Sequence, residues 1–405
     1  MTFMLGIIAF LFWILLLYYA VLTAAGILFR VSGRKKKSLT FYPSVAILVP
    51  AHNEEKVIAQ TLDALIKLEY SGDLDIFLLN DNSADRTGEI VETYAEIYQN
   101  VHHIRVPEGV PKGKARVLNH GLSLTQADYV AVYDADNQPE PAALERLVQT
   151  AETTDGAVGA VGYVKTINEH RNWLTKMVAL EFSVFQLVMQ AGRWQLFKLG
   201  SLTGTNMLVS REALIEAGGW DPYALAEDAD LTMVLTANGG LLPIVAESRT
   251  WEQEPETLKV WIRQRTRWMQ GNLYIIGKTF RMPSWRRGRN LLHTSQLLSI
   301  YIGFVALLFL SDAWFVLGFF GFREPESTPA PVLLLWFESW MIYVIQLVSA
   351  QIMDKKLKLI DIIMSCLMYF TYAQLWLYLL VRGVYFQLKL SKDEKQPVWD
   401  KTIRF

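Results

Sequence analysis

Three apolar runs, each closing on a polar loop, set the rhythm of the first half of the chain. "SVAILVPAHNEE" (Ser44 to Glu55) reads as a short strand ending in polar residues, and Lys56 to Leu68 follows with helical periodicity. "LDIFLLNDNSADRTGEI" repeats the unit, with a helix expected from about Thr87. "DYVAVYDADNQPEP" is a third strand, with a helix from Pro141 onward. Strands alternating with helices predict an α/β domain, rich in parallel strands, with right-handed crossovers. Such sheets bind ligands beyond the carboxyl ends of their strands. Residues 52–55, 80–83 and 134–136 fall at those ends and are expected to converge.

The flanks follow a different pattern. The first 29 residues carry no charged side chain, and Arg30 with Arg34 to Lys37 follow directly. The run exceeds the roughly 20 residues needed to span a bilayer, so residues 4–28 read as a permanent transmembrane helix. Positive charge after it puts the next segment in the cytoplasm and the N-terminus outside. The expected order is a transmembrane helix (1–29), a basic linker (30–43), a cytoplasmic domain (44–282), an interfacial amphipathic helix (283–295), an apolar region (296–388) and a tail (389–405). The interfacial helix rests on the mixed tryptophan, arginine and leucine of "PSWRRGRNLLHTSQLL".

The apolar region offers three segments, near 296–321, 331–352 and 359–386. Asp354 to Lys358 ("DKKLK") is basic and expected on the cytoplasmic side. If all three segments span, the tail lies outside, yet it carries Lys389, Lys392, Lys395, Lys401 and Arg404. A cytoplasmic tail requires one segment to be re-entrant or interfacial. Asp312, Glu338 and Arg382 interrupt the apolar segments, and such charges face a bundle interior or an aqueous path. Snorkelling near a segment end is the competing reading for Arg382. The expected location is the plasma membrane, multi-pass.

Composition narrows the choice. The 405 residues allow one large domain or two, and 52% of them are hydrophobic. Lys plus Arg (39) balances Asp plus Glu (40), which argues against a nucleic-acid partner. A single cysteine, Cys366, builds neither a disulfide framework nor a cysteine metal site.

Against that background the polar loops carry the chemistry. Asp134 and Asp136 stand one residue apart at the end of the third strand. Like charges that close raise each other's pKa unless a cation sits between them. A solvated turn, helped by Asn137 and Pro139, is the alternative. Downstream, Glu227 and Asp228 precede an apolar helix, and "WIRQRTRWMQGN" sets Gln264, Arg265, Arg267 and Trp268 in one basic, aromatic cluster.

D-x-D, then E-D, then Q-x-x-R-W, in that order between apolar segments, resembles the membrane-integrated family 2 glycosyltransferases. These include cellulose, chitin, hyaluronan and poly-N-acetylglucosamine synthases, and the likeness runs from about Ser44 to Asn272. It implies a GT-A-like fold and an inverting transfer from a UDP-sugar, with Mg²⁺ or Mn²⁺ held by Asp134 and Asp136. Asp228 is then the general base, beside Glu227. Gln264, Arg265 and Arg267 face the pyrophosphate, and Trp268 offers a ring to the acceptor sugar. His52, Asn53, Glu54, Asp81 and Lys114 match nucleotide-side positions. Two positions depart from the family pattern: Ala226 replaces a threonine and Asn80 an aspartate.

Bland readings stand beside these. Asp228 suits any helix N-terminus, Asn53 and Glu54 suit a helix cap, Lys114 suits a surface, and Arg265 suits a solvated helix face. By resemblance the leading product is poly-β-1,6-N-acetylglucosamine made from UDP-GlcNAc, with glucan, chitin or hyaluronan next. The acceptor is then a growing oligosaccharide or polysaccharide passed across the bilayer, with room for a small accessory membrane subunit. Transfer of one sugar to a lipid carrier, or a non-catalytic nucleotide-binding scaffold or exporter, are the other readings.

Overall fold

The computed structural model describes residues 2–33, 39–286, 288–320 and 332–393. The basic run Arg34 to Lys37, the polar loop before residue 332, and Lys395, Lys401 and Arg404 of the tail lie outside the described residues.

Eight strands form one sheet: β1 (Val45–Ala51), β2 (Leu74–Asn80), β3 (Val101–Arg105), β4 (Tyr129–Val132), β5 (Gln138–Pro139), β6 (Gly159–Thr166), β7 (Met207–Ser210) and β8 (Ile244–Glu252). Their spatial order is β3-β2-β1-β4-β7-β6-β8-β5. β1, β2 and β4 are mutually parallel, as the repeating pattern predicts, and β3, which the pattern did not single out, joins them in parallel. β7 runs antiparallel to both β4 and β6, β8 pairs parallel with β6, and β5 antiparallel with β8. The sheet is therefore mixed, rich in parallel strands as expected but with antiparallel pairings that the pattern did not foresee. Apolar periodicity reports that a strand exists and says nothing about its direction, and β7 is only four residues long.

The central strands read as unbroken apolar runs because both faces are covered. Ile47, Ile58, Leu62, Leu144 and Leu147 pack on one face, and Leu48, Leu118, Val161 and Leu214 on the other, all fully buried. Register pairs Ala51 with Asn80 and Leu48 with Val132, so the loops after β1, β2 and β4 leave the same edge.

A helical excursion joins β6 to β7 and docks the apolar helices. Asn172 and Thr175 form a reciprocal cap that starts the helix Trp173–Ser183, followed by a π-helical turn Val184–Met189 and the helix Gln190–Phe197. This unit crosses the N-terminal helix Thr2–Val31 at two glycines. A Cβ at Gly192 would collide with the Leu22 carbonyl, and one at Gly26 with that of Val188. Only glycine permits so close an approach of two backbones.

Residues 283–295, expected as a separate interfacial helix, are a 3₁₀ turn Pro283–Arg286 and the opening of the helix Gly288–Leu298. Asn290 donates to the Met233 carbonyl at 2.8 Å and Trp285 packs with Met233, Ile275 and Ile276, while Leu291 and Leu292 are exposed. The helix continues through Ser299–Gly303 into Phe304–Phe319. Among the described residues, Phe10–Val31 and Gly288–Leu310 are long and apolar enough to cross a membrane.

The helix Val332–Met353 ends against the sheet domain, where Lys165 pairs with Asp354 at 3.0 Å. The apolar stretch 359–386 is broken into two short helices, Leu359–Met368 and Leu375–Asp393. The hairpin opens beside the domain (Asp361 to Lys176, 2.8 Å) and reaches Trp336 with Tyr369 and Phe370. It returns to the helix Leu258–Arg281, where Trp376 lies edge-on to Trp261 and Arg382 donates to Thr266 at 3.1 Å. A ten-residue helix is about 15 Å long, half a bilayer core.

Gly192→Val is expected to destabilise the chain by about 1–3 kcal/mol through overpacking. Gly277→Ala, at an exposed helical site where the added methyl meets nothing within 4 Å, is expected to gain about 0.5–1 kcal/mol. Thermal melts in detergent followed by tryptophan fluorescence check both signs.

Candidate active site

The loops after β1, β2 and β4 are tied to one another. His52 Nδ1 lies 2.6 Å from the Asp81 carbonyl, the Asn53 N–H donates to Ser83 Oγ at 3.0 Å, and the Ala84 N–H donates to Asn53 Oδ1 at 2.7 Å. Asn53 (φ 54°) and Asn82 (φ 56°) take the left-handed turns this needs, which asparagine tolerates best. Asp81 is ion-paired to Arg116, a residue the sequence did not single out. Asn80 accepts from the Ser83 N–H at 3.1 Å, so the replacement for the family's aspartate still shapes the loop.

Asp134 and Asp136 follow β4, and a third acid joins them. Carboxylate oxygens of Asp134, Asp136 and Glu252 all lie within 4.8 Å of one another. Glu252 arrives because β5 pairs with the end of β8, Gln138 opposite Trp251. Fully buried Asn137 pins the turn, donating to Glu252 at 3.0 Å and accepting from Thr205 at 2.7 Å. The only sequence sign of Glu252 is an acid at the carboxyl end of an apolar strand. Its partnership depends on a two-residue strand that periodicity cannot see. Three hard oxygen donors this close fit Mg²⁺ or Mn²⁺.

Lys114 links this cluster to the second acidic pair. Its ammonium lies 2.5 Å from Asp134, 2.7 Å from the Gly204 carbonyl and 3.5 Å from Glu227. It is no surface lysine. Burial works against its charge, and Asp134 and Glu227 outweigh that, holding its pKa above the ordinary value. Glu227 and Asp228 open the helix Glu227–Ala237. Burial, then Glu227, push the Asp228 carboxyl up to about 7 against the pull of Lys114. Gly204, at φ +79°, leaves room in front of it: a Cβ there would stand 3.3 Å from Asp228 Oδ2. Asp230 points elsewhere, paired with Lys278 at 2.7 Å.

Gln264, Arg267 and Trp268 line the same cavity as Asp134, Lys114 and Asp228. Arg265 departs from its expected place. It is fully buried, ion-paired with Glu181 at 2.7 Å, donates to Gln264 Oε1 at 2.9 Å and stacks 3.9 Å from the Trp268 ring centre. The solvated helix face is excluded, and its charge is committed to Glu181 rather than to a pyrophosphate. Tyr372 of the carboxyl-terminal hairpin donates to the same Glu181 oxygen at 2.7 Å and accepts from Trp261 at 2.9 Å. The hairpin thus fixes the Q-x-x-R-W segment.

The cavity measures about 520 Å³. Its polar end holds His52, Lys114, Asp134 and Asp228, and its far end runs between the apolar helices past Phe12, Leu16, Phe304 and Leu308.

A family model described as "Glycosyltransferase like family 2" matches residues 43–271. "Probable glycosyltransferase YdaM" of Bacillus subtilis (strain 168) is 34% identical over 404 residues, 98% of this chain and 96% of that protein. "Beta-monoglucosyldiacylglycerol synthase" of Trichormus variabilis (strain ATCC 29413 / PCC 7937) is 34% identical over 251 residues, 61% of this chain and 53% of that protein. "Poly-beta-1,6-N-acetyl-D-glucosamine synthase" of Staphylococcus aureus (strain COL) is 26% identical over 268 residues, 66% of this chain and 64% of that protein. The chain therefore spans less than two thirds of the length of these last two relatives. Among solved structures, the mannosyltransferase PcManGT from Pyrobaculum calidifontis, in complex with GDP-Man and Mn²⁺, superposes with a TM-score of 0.62 at 19% identity. It covers 96% of this chain and 99% of that one, a likeness of fold.

Glu252→Gln is expected to weaken Mn²⁺ binding about tenfold or more, as are Asp134→Asn and Asp136→Asn. Isothermal titration with Mn²⁺ checks this, and unchanged binding by Glu252→Gln removes that residue from the site.

Proposed function

The chain belongs to the glycosyltransferase like family 2, and from that premise we propose an inverting, metal-dependent transfer from a UDP-sugar to an acceptor hydroxyl at a membrane. The observation that carries this is one cavity wall holding Asp134, Glu252 and Asp228, with Lys114 joining Asp134 to Glu227 and the buried Asp136 completing the acid cluster behind the wall. When bound, Mg²⁺ or Mn²⁺ neutralises charge on the diphosphate.

The protein's own groups do the rest. His52 to Glu54 and Asp81 receive the nucleoside, and Asp81 accepts from the uracil N3 proton. Lys114, Gln264 and Arg267 face the diphosphate, where fixed cations stabilise the leaving group. The Asp228 carboxylate takes the proton of the acceptor hydroxyl as its oxygen bonds to the anomeric carbon. The bond from that carbon to the phosphate oxygen breaks on the opposite face, and UDP leaves with the electron pair. Arg265 acts as a positioning residue for Gln264 and Trp268.

For the acceptor, the apolar far end of the cavity favours a hydroxyl borne by a lipid. A polar polymer threaded past Phe12, Leu16 and Leu308 would meet mostly apolar side chains, with few polar groups such as Ser339 and Gln346 among them. Elongation of a β-linked polysaccharide from UDP-GlcNAc is the second reading, supported by the relative named as a poly-N-acetylglucosamine synthase. The two are told apart by whether labelled product partitions into organic solvent or stays as a polymer on a gel. The hairpin that opens and closes beside the domain supports a re-entrant segment and a cytoplasmic tail.

Asp228→Asn is expected to lower the transfer rate by about 10²–10⁴-fold. In the parent protein kcat/KM is expected to rise with pH through about 7, because the free base must be ionised. The folded pKa of Asp228 lies above its ordinary 3.8, so its contribution to stability is complete below that value and lost as pH rises through about 7. Asp228→Asn is therefore expected to melt no lower than the parent at pH 8. A lower melting point there would mark the acid as a helix cap instead.

A further inference from the structure

Behind the catalytic groups, the cavity wall contains a cation that the transfer chemistry does not use. Arg193, on the helix Gln190–Phe197, is 3% exposed. Its Nη2 lies 3.1 Å from Nδ1 of His293 and 3.4 Å from Nε2 of the same ring. His293 Nε2 in turn lies 3.1 Å from Ser201 Oγ. An imidazole that accepts from a guanidinium is neutral, so this contact satisfies a hydrogen bond without cancelling the charge. Among the described residues no carboxylate pairs with Arg193, and its Nε finds no acceptor. One helical turn beyond His293, the buried Nε2 of Gln296 also finds none.

Buried charges are ordinarily paired, since an uncompensated one is costly. Arg193, Ser201, His293 and Gln296 all line the cavity. Two unsatisfied donors around one unneutralised guanidinium describe a seat for an anion with several acceptor oxygens, and the planar fork of arginine matches phosphate. The seat lies in the opening turns of the candidate span Gly288–Leu310 and beside Leu22 of the candidate span Phe10–Val31. From there the wall turns apolar, with Phe12 and Leu16 from one helix, Phe304 and Leu308 from another, and Ile342 and Leu347 from a third.

We infer that the acceptor is a lipid carrying a phosphate group, its phosphate held by Arg193 and Gln296, its tail lying between the apolar helices and its hydroxyl presented to Asp228. This rests on the transferase reading above and names its acceptor class. Arg193 fixes where the headgroup stops, and so which hydroxyl reaches the base. A lipid with the same tail and hydroxyl but no phosphate leaves the guanidinium uncompensated, so the site discriminates against it.

The test uses the delipidated full-length protein in detergent, with fluorescent phosphatidylglycerol and fluorescent diacylglycerol of the same chain length as probes. Phosphatidylglycerol is expected to bind about tenfold or more tightly than diacylglycerol. Arg193→Gln is expected to abolish that preference and Arg193→Lys to keep part of it, while affinity for UDP with Mn²⁺ stays unchanged in both. If Arg193→Gln does not fold, Gln296→Leu carries the same expectation at smaller size. Equal binding of the two lipids, or unchanged phosphatidylglycerol affinity in the variants, overturns the inference. Displacement of phosphatidylglycerol by glycerol phosphate at matching concentration also overturns it, because the site would then hold phosphate alone. Nucleotide release from UDP-sugars is followed in parallel. Its absence with every lipid defeats the transferase reading while the binding preference is still measured, and its presence without any preference defeats only the inference.

Discussion

One buried ammonium holds two sets of acids in a common space. Lys114 touches Asp134 on the side of the acid cluster and Glu227 on the side of the base, and it hydrogen-bonds the Gly204 carbonyl between them. Five carboxylates so close would otherwise repel, and burial alone would protonate some of them. Its cation keeps Asp134 and Glu227 close, while burial and Glu227 make Asp228 hold its proton up to about pH 7. A group poised near neutrality next to fixed charge is what proton transfer in the transition state requires. The remainder of the domain is arranged to deliver these residues. Parallel β1, β2 and β4 bring their loops to one edge, and the two-residue β5 pulls in Glu252.

The apolar helices are part of the site as well as its anchor. The N-terminal helix approaches the excursion Trp173–Phe197 at Gly26 and Gly192, which closes the cavity from one side. From the other side Tyr372 reaches Glu181, and Glu181 holds Arg265 under Trp268. The segment Gln264 to Trp268 is thus braced by residues from three separate stretches of chain. Such bracing keeps side chains in place without reorganisation when charge develops. It also couples the polar chemistry to an apolar compartment in a single continuous space.

Much of this was legible in the chain itself. β1, β2 and β4 announced themselves as apolar runs ending in polar loops, and the edge they share followed from parallel order. Asp134, Asp136, Asp228, Gln264, Arg267 and Trp268 were visible as motifs; the structure brings all but Asp136 to one cavity and sets Asp136 against Asp134 behind its wall. Other features depended on contacts distant in sequence. Glu252 needed β5, and Arg116 needed the fold to bring it to Asp81. Arg265 looked like any helix-surface arginine until Glu181 appeared 84 residues upstream to bury it. Arg193 carried no motif at all; its lack of a counter-charge among the described residues is a property of packing. The stretch 359–386 read as a single span because hydropathy does not register the turn at 369–374.

Crystals soaked with Mn²⁺ and UDP, with data collected at the manganese edge, examine the central claim most directly. The account predicts one anomalous peak within coordination distance of Asp134, Asp136 and Glu252, with the Asp228 carboxylate facing it across the same cavity. A peak elsewhere, or an Asp228 carboxylate turned out of that cavity, would contradict it.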